Sequence, residues 1–351
     1  MNTAKFPKTA PCVLLALVLS ACDLFNVSLV NYLLENTKKE EQFFAFSVAA
    51  AALDTFSIPT SGMLNNPAVK SYIWDIDWGD GQGAAHVTGT SADAGGISHT
   101  YANAGTYRIT IRPAGVREAW LGAFGISPSE STGANSPANK TKIVSVDSPL
   151  TPPMTRTEAQ INGTAAPPGN EWAYTFAGCD HLAMGEDFRF SPQWDHITSA
   201  GNGFAASMFA SCTGLVMNGV FNLPQGMSAA GDNFAYSMFA SCTALTMNGV
   251  FNLPQGMSAA GSYFAASMFI NCNGGAFIVN DVFKFPPFDQ TILDKAGVFY
   301  QTLVLGMGTP LQTRTAGSII NSTLSPSSGR STFSPFAAWS DYSGIPANWR
   351  G

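Results

Sequence analysis

The chain has 351 residues, a formal net charge of −6 and only 11% charged residues, against the roughly 25% of typical soluble domains. This length allows two domains with real cores, and no basic run argues for a nucleic-acid partner. Residues 207–236 and 237–266 are identical at 25 of 30 positions. Because an active site is usually built once, such a repeated block favours a stacked structural unit that presents a surface.

The N-terminus has the layout of an export signal. Lys5 and Lys8 precede a short apolar run, too short to span a membrane. The sequence LSAC, ending at Cys22, then resembles the lipobox of bacterial lipoproteins. The resemblance implies that residues 1–21 are a signal peptide and that the Cys22 thiol carries the lipid. We therefore expect an exported protein, anchored by lipid to a bacterial membrane at the cell surface.

Residues 22–42 are interpreted as the lipid-anchored tether, and residues 43–147 as an all-β domain. Strand-like segments such as YIWDIDW and TYRITI alternate apolar and polar residues, with Gly- and Pro-rich turns between them. The motifs WDIDWGDG (74–81) and HTYANAGTYRITI (99–111) together resemble the polycystic-kidney-disease (PKD) domain, an immunoglobulin-like β-sandwich. The resemblance implies a spacer or a contact module for protein or glycan.

Three aspartates in the first of these motifs allow two interpretations. The spacing of Asp75, Asp77 and Asp80 is a weak calcium candidate, because calcium takes several carboxylate oxygens. A structural role is the alternative, since Asp75 and Asp77 share one face of a strand, and an aspartate in a turn bonds to its own backbone.

Repeats follow residues 148–170, which are rich in Pro, Thr, Asn and Gly and are expected to be a linker. A motif of about 30 residues recurs over 171–312, a period typical of solenoids. Phe204, Met208 and Cys212 have the spacing of one apolar helix face, and LVMNGVFNLP predicts a short strand that ends at its proline. One helix and one strand cannot bury these faces alone, so we expect stacked copies to share a continuous core.

The repeat pattern F-x-x-x-M-F-x-x-C-x-x-L, followed by F-N-L-P, resembles the leucine-rich-repeat-like units of BspA-type bacterial surface proteins. We expect a mixed α/β, mostly β chain, in which a leucine-rich-repeat-like solenoid follows the sandwich. The family resemblance implies a cell-surface protein without catalytic residues, and several members are adhesins for host matrix proteins or other bacteria. The aromatic residues of 313–351 favour a C-terminal cap over the last repeat, with a sugar-stacking platform as the alternative.

Four cysteines follow the lipobox, and all occupy one position of the repeat: Cys179, Cys212, Cys242 and Cys272. Stacked helices would lie about 10 Å apart, beyond the roughly 7 Å between Cα atoms that a disulfide tolerates. We therefore expect buried, unpaired thiols that pack as small apolar residues, with disulfide pairing as the alternative.

The two near-identical blocks differ at five aligned positions: 214/244, 216/246, 232/262, 233/263 and 236/266. The apolar ladder positions are unchanged, and the differences are small or polar. We expect these positions to be exposed, and Asn233, Tyr236 and Tyr263 to lie on a contact surface. Neutral drift after a duplication is the alternative.

No histidine, serine or cysteine lies in a recognisable catalytic or metal-binding motif, so we expect neither enzymatic activity nor a cofactor. Three functions compete. The first is an adhesin-like binding protein for a host matrix protein, a bacterial surface protein or a glycan. The second is a surface coat or antigenic scaffold without a specific ligand, and the third, which lacks a site motif, is an exported hydrolase with an accessory module.

Replacement of Cys22 by Ser tests the lipid anchor. The hydroxyl cannot take the place of the lipidated thiol, so we expect Cys22→Ser to leave the membrane fraction, as measured by cell fractionation and immunoblotting. Cys12→Ser is the control and should keep the wild-type distribution, because Cys12 lies before the cleavage site. Retention of Cys22→Ser in the membrane fraction would contradict the lipid anchor.

Overall fold

The computed structural model describes residues 43–60, 71–90, 96–114, 124, 137–150, 172–185, 188–191, 194, 197–272, 285–293, 295, 303–304 and 333–334. Strands dominate this part of the chain, and its two helices, α1 (Pro137–Lys140) and α2 (Gln290–Leu293), have four residues each. The mostly β fold class expected from the sequence is confirmed. The predicted signal peptide, the predicted tether with Cys22, residues 151–170 of the predicted linker and most of the predicted cap lie outside the described residues.

Seven strands make up the N-terminal part: β1 (Phe44–Ala50), β2 (Thr55–Ile58), β3 (Ser71–Asp77), β4 (Ala84–Thr90), β5 (Ile97–Thr100), β6 (Gly105–Pro113) and β7 (Ile143–Val146). Strands β1, β6, β3 and β4 pair antiparallel in that order, and β7 pairs antiparallel with the other edge of β1. Strands β2 and β5 form a separate antiparallel pair. Tyr72, Trp74 and Ile76 of β3 are buried, so the alternation predicted for this strand is confirmed.

Aromatic side chains join the two sheets of this part. The Phe46 ring of β1 lies 5.8 Å from the Phe56 ring of β2 and 5.1 Å from Phe124, and all three are fully buried. Tyr101 donates its hydroxyl to the Trp78 carbonyl at 3.2 Å. Burial of one phenyl ring contributes roughly 1.5–3 kcal/mol, so this layer is a principal source of stability for the N-terminal part.

Short parallel strands continue the main sheet into the repeats: β8 (Ala183–Met184), β10 (Val216–Met217) and β12 (Thr246–Met247). They pair side by side, and β8 also pairs in parallel with β7. The main sheet therefore has eight strands in the order β12-β10-β8-β7-β1-β6-β3-β4. Of the strand predicted from LVMNGVFNLP, only Val216–Met217 forms a strand, so the prediction that it ends at Pro224 is wrong. The sheet continues across the predicted linker from one part to the other.

Two smaller parallel pairs complete the strands. Strand β9 (Ser199–Ala200) pairs with β11 (Ala229–Ala230), and β13 (Leu303–Val304) pairs with β14 (Phe333–Ser334). The first pair joins two successive repeats thirty residues apart, in the same register as the main sheet.

The predicted helix over 204–212 is wrong, because a ribbon of successive turns takes its place. Every second backbone N–H, from Gly203 to Ser211, donates to a carbonyl of the next repeat, as Ala205 does to Phe234 at 2.7 Å. The N–H groups of Ala206, Met208 and Ala210 donate instead to carbonyls three residues back along the chain. An α-helix would keep all of these bonds inside the segment, whereas here they alternate between local and inter-repeat acceptors.

Backbone conformation explains why no helix forms. The dihedral φ is positive at every fourth residue of three stacked ribbons: Gly203, Ser207, Ser211, Asn233, Ser237, Ser241, Tyr263, Ser267 and Asn271. Right-handed helices require negative φ throughout. The ribbon nevertheless buries residues four apart, since Phe204, Met208 and Cys212 are fully buried. Apolar spacing therefore could not distinguish a helix from this ribbon.

The inter-repeat hydrogen bonds set the spacing of the core. Phe204, Phe234 and Phe264 stack with ring centroids 5.2 and 5.0 Å apart, and a second ladder runs parallel to it from Phe209 to Phe239 at 5.4 Å. These distances match neighbouring β-strands rather than packed helices. The stacked core expected from the sequence is present, at half the predicted spacing.

Two glycines of one repeat test how tightly the backbones approach. A Cβ on Gly249 would overlap the Gly219 carbonyl, with the Gly219 carbonyl carbon only 2.7 Å away, whereas a Cβ on Gly256 would lie 3.9 Å from its nearest neighbour, the Gln225 carbonyl oxygen. We expect Gly249→Ala to lower the free energy of unfolding by about 2 kcal/mol or more, and Gly256→Ala to change it by less than about 1 kcal/mol. Urea denaturation of both variants measures this difference, and equal losses would contradict the inter-repeat contact.

Candidate functional site

The candidate contact residues lie together on the outer side of two adjacent ribbons. Asn233 and Tyr263 occupy the same position in successive repeats, and the Asn233 N–H donates to the Ser262 carbonyl at 2.9 Å. Tyr236 lies one turn further along, where its N–H donates to the Asn233 carbonyl at 3.2 Å. The Tyr236 and Tyr263 side chains are 39% and 42% exposed, and Asn233 is partly exposed. We call Asn233, Tyr236 and Tyr263 the tyrosine surface.

A ladder of polar side chains fixes the start of each ribbon beside this surface. Asn202 Oδ1 accepts the Asp232 N–H at 2.9 Å, and Asp232 Oδ1 accepts the Ser262 N–H at 2.7 Å. These bonds repeat at a spacing of thirty residues and tie each repeat to the next. Sequence reasoning missed them, although the thirty-residue recurrence of short polar side chains was a usable signal.

Few charged residues lie near the tyrosine surface. From residue 197 to residue 272 the sequence contains one acidic residue, Asp232, and no Lys, Arg, Glu or His. Lys295 reaches this region from outside that range, and its Nζ donates to the Ala260 carbonyl at 2.6 Å, three residues before Tyr263. The surface therefore offers aromatic faces, amides and hydroxyls as its main binding groups.

Tyr263 occupies a backbone conformation that disfavours its side chain. Its φ is +54°, and φ at Asn233 is +57°. Asn adopts this region readily, but a bulky residue there is a genuine outlier and costs on the order of 1–2 kcal/mol. Tyr263 is 42% exposed, so the covered part of its ring offsets part of that cost, whereas the Asn of the preceding repeat adopts this conformation readily.

Nine of the ten residues at the five differing positions are at least partly exposed. The differences between the two blocks therefore lie mainly on the surface and not in the shared core. The expectation that all would be exposed is wrong at Ala266, which is fully buried. Ala266 has no side chain beyond Cβ, and its aligned counterpart Tyr236 extends into solvent. The buried Phe, Met, Cys and Leu positions are identical in the two blocks.

The four repeat cysteines are buried and free, as predicted. The 10 Å spacing used to predict this was wrong, because hydrogen-bonded neighbouring repeats lie only about 5 Å apart. The thiols also do more than fill space. Cys242 Sγ donates to the Phe209 carbonyl at 3.0 Å, and Cys212 and Cys272 make the same bond to the preceding repeat at 3.0 and 3.1 Å.

Burial keeps these thiols protonated. Desolvation raises the pKa of Cys212 and of Cys272 to about 12, and raises the pKa of Cys179 and Cys242 well above the ordinary thiol value. Only the thiolate is a strong nucleophile or metal ligand. The ladder therefore supplies hydrogen-bond donors to the core and no reactive group.

The three aspartates of the weak calcium candidate each bond to a different protein group. Asp75 Oδ1 lies 2.8 Å from His86 Nδ1. Asp77 Oδ1 accepts the Gly79 N–H at 3.0 Å, which is the local turn bond expected of Asp. Among the residues that the structure describes, no three His, Cys, Asp or Glu side chains gather into a group that could hold a metal ion.

Asp80 belongs to an aromatic cluster at the turn after β3. Its Oδ2 lies 2.8 Å from His99 Nε2, and both side chains are mostly buried. The His99 ring stacks on Trp78 with centroids 4.8 Å apart and meets Tyr101 edge-on at 4.8 Å. These contacts fix the turn and join the two sequence motifs that suggested a β-sandwich.

Comparisons with protein families, curated proteins and solved structures give no significant match to this chain. The resemblances to the PKD domain and to BspA-type repeats therefore stay predictions. In the described ranges, the structure contains no helix with the length and apolar character needed to cross a membrane.

The buried thiols predict a pH dependence of stability. Burial raises the pKa of the Cys212 thiol from its ordinary 9.0 to about 12, so the unfolded chain binds fewer protons between these pH values. The free energy of unfolding therefore falls as pH rises from about 9 to 12, by up to about 1.4 kcal/mol per pH unit for this thiol.

Cys212→Ser isolates this contribution, because a hydroxyl can donate the same hydrogen bond without titrating in this range. We expect the stability of the serine variant to fall less steeply above pH 9 than that of the wild type, by denaturant titration at several pH values. Identical slopes would show that the Cys212 thiol is not buried in the folded protein.

Proposed function

We propose that the protein is a lipid-anchored, non-catalytic binding protein of the bacterial cell surface. A PKD- or immunoglobulin-like sandwich carries a short leucine-rich-repeat-like solenoid, and the tyrosine surface of the solenoid is the contact site. The observation that carries this proposal is the contrast between the buried and the exposed positions of the two near-identical repeats. Their buried ladders are the same, while the exposed Tyr236 and Tyr263 occupy positions where the repeats differ.

The architecture supports this assignment in two ways. A two-stranded sheet packs against the antiparallel part of the main sheet through Phe46 and Phe56, which fits a sandwich. One short parallel strand per repeat, with ring ladders at about 5 Å, fits a solenoid. The turn ribbon in place of a helix distinguishes these repeats from ordinary leucine-rich repeats.

The described side chains give little support to the hydrolase alternative. The two Asp–His pairs, Asp75–His86 and Asp80–His99, are fixed by the strand pairing and the aromatic cluster of the N-terminal part. The thiols are held protonated inside the repeat core. A hydrolase with paired acids needs two carboxyl groups that face one substrate across a cleft, and these residues do not provide that pair.

A surface coat without a specific ligand is the second candidate. The near-identity of residues 207–236 and 237–266 favours it, because such blocks can be gained without selection for any contact. The strained Tyr263 favours a binding role instead, since a coat needs no bulky residue at positive φ.

Binding by the lipid-free chain separates these candidates. We expect residues 23–351, immobilised at their C-terminus, to show saturable binding to a matrix-protein or bacterial-cell ligand in a panel read by biolayer interferometry. The double variant Tyr236→Ala with Tyr263→Asn should lose about tenfold or more in affinity, because two aromatic contacts are removed.

Each substitution in this variant installs the residue that the neighbouring repeat already carries, so the fold should be kept. Thr246→Val installs the aligned Val216 on the strand face and is the matched control, with unchanged binding expected. A complete lack of saturable binding by the wild-type protein would favour the coat.

A further inference from the structure

The size of the tyrosine surface restricts its ligand. Adjacent repeats are about 5 Å apart, and residues three apart in a turn have Cα atoms within about 7 Å. Asn233, Tyr236 and Tyr263 therefore share a patch roughly 10 Å across, whereas a stable protein–protein interface buries about 800 Å² on each partner. One or two sugar rings match the dimensions of the patch better than a protein does.

The chemistry of the patch is that of a neutral sugar site. Aromatic faces carry negative potential and attract the C–H-lined face of a pyranose ring. Asn202 and Asp232 are exposed beside the tyrosines. Each side chain uses one oxygen in the ladder between repeats, and the Asn202 amide donors and the second Asp232 oxygen have the hydrogen-bonding types that sugar hydroxyls need.

The patch has no excess of positive charge to attract an acidic glycan. Asp232 is the one Asp, Glu, Lys, Arg or His from residue 197 to residue 272, and its carboxylate would repel a sialylated or sulfated sugar. Lys295, whose Nζ donates to the Ala260 carbonyl at 2.6 Å, brings one positive charge near Tyr263, so the two charges offset each other. From size, aromatic faces and charge together, we infer that the tyrosine surface binds an uncharged glycan, with Tyr236 and Tyr263 stacking on its sugar rings. This inference rests on the proposed binding function and names its ligand class.

A glycan array tests the inference with the lipid-free chain, residues 23–351. The probes are uncharged oligosaccharides ending in glucose, galactose or N-acetylglucosamine, printed beside their sialylated and sulfated counterparts. We expect binding to at least one uncharged probe and no stronger binding to its acidic counterpart. Affinity for that probe should be the same at low and high salt, because no ion pair contributes.

The variants assign the binding to the tyrosine surface. Tyr236→Ala and Tyr263→Asn should each weaken binding of the uncharged probe about tenfold, as expected for loss of one stacking contact. Thr246→Val should bind like the wild type. Preference for acidic probes, or binding that both tyrosine variants retain, would overturn the inference.

A second measurement separates failure of the inference from failure of the proposed function. Wild-type and variant chains are titrated against matrix proteins before and after enzymatic removal of their glycans. If glycan removal abolishes binding, the inference is supported. If wild-type binding survives glycan removal but both tyrosine variants lose it, the surface binds protein and the glycan inference is wrong. If neither glycans nor proteins bind, the proposed function fails as well.

Discussion

Alternation of backbone hydrogen bonds between a repeat and its neighbour is the constraint on which this structure depends. In the ribbons over 172–179, 203–212 and 233–242, the N–H groups alternate between a local acceptor and a carbonyl of the next repeat. An isolated ribbon would leave the N–H groups that bond to the next repeat without a protein partner, and each buried unsatisfied group costs about 1–3 kcal/mol. The repeats can therefore exist only as a stack. Strand β7 of the N-terminal part pairs with β8 and so joins the strand layer of that stack to the antiparallel sheet.

The same alternation places different constraints on the buried and the exposed side chains. Neighbouring repeats are held about 5 Å apart, so the buried rings and thiols must recur unchanged to keep their contacts. Side chains on the outer face carry no such requirement. Tyr236 and Tyr263 can therefore differ from their counterparts without disturbing the Phe ladders beneath them. The exposed side chains of such a stack can change while the backbone that positions them stays constant.

Sequence reasoning predicted what depends on local pattern and missed what depends on distant contacts. The alternation in β3 and the burial of the repeat cysteines followed from spacing alone. The helix prediction failed because Phe204, Met208 and Cys212 have the same four-residue spacing in a helix and in the ribbon. The thiol bonds, such as that from Cys242 to Phe209, required knowledge of how far apart the repeats lie. The pairing of β7 with β8 joins residues nearly forty positions apart, and no local sequence pattern predicts it.

The tyrosine surface could be predicted only in part. Its residues were found by comparing two blocks of one chain, a comparison that needs no structure. Their proximity became visible only with the bond from Asn233 to Ser262, which places residues of neighbouring repeats side by side. The positive φ of Tyr263 could not be predicted from the sequence, because tyrosine rarely adopts this backbone conformation.

The thirty-residue register has a consequence for how such a gene changes length. Asn202 bonds to Asp232, and Asp232 bonds to Ser262, so an internal repeat makes the same kind of bond to the repeat before it and to the repeat after it. Unequal crossing-over that adds or removes thirty codons would keep these bonds between equivalent residues of neighbouring repeats. Loss of a single codon would instead shift each ring relative to the ring on which it stacks, and each thiol relative to the carbonyl that accepts its hydrogen bond. Variation in this protein is therefore expected to proceed in whole repeats.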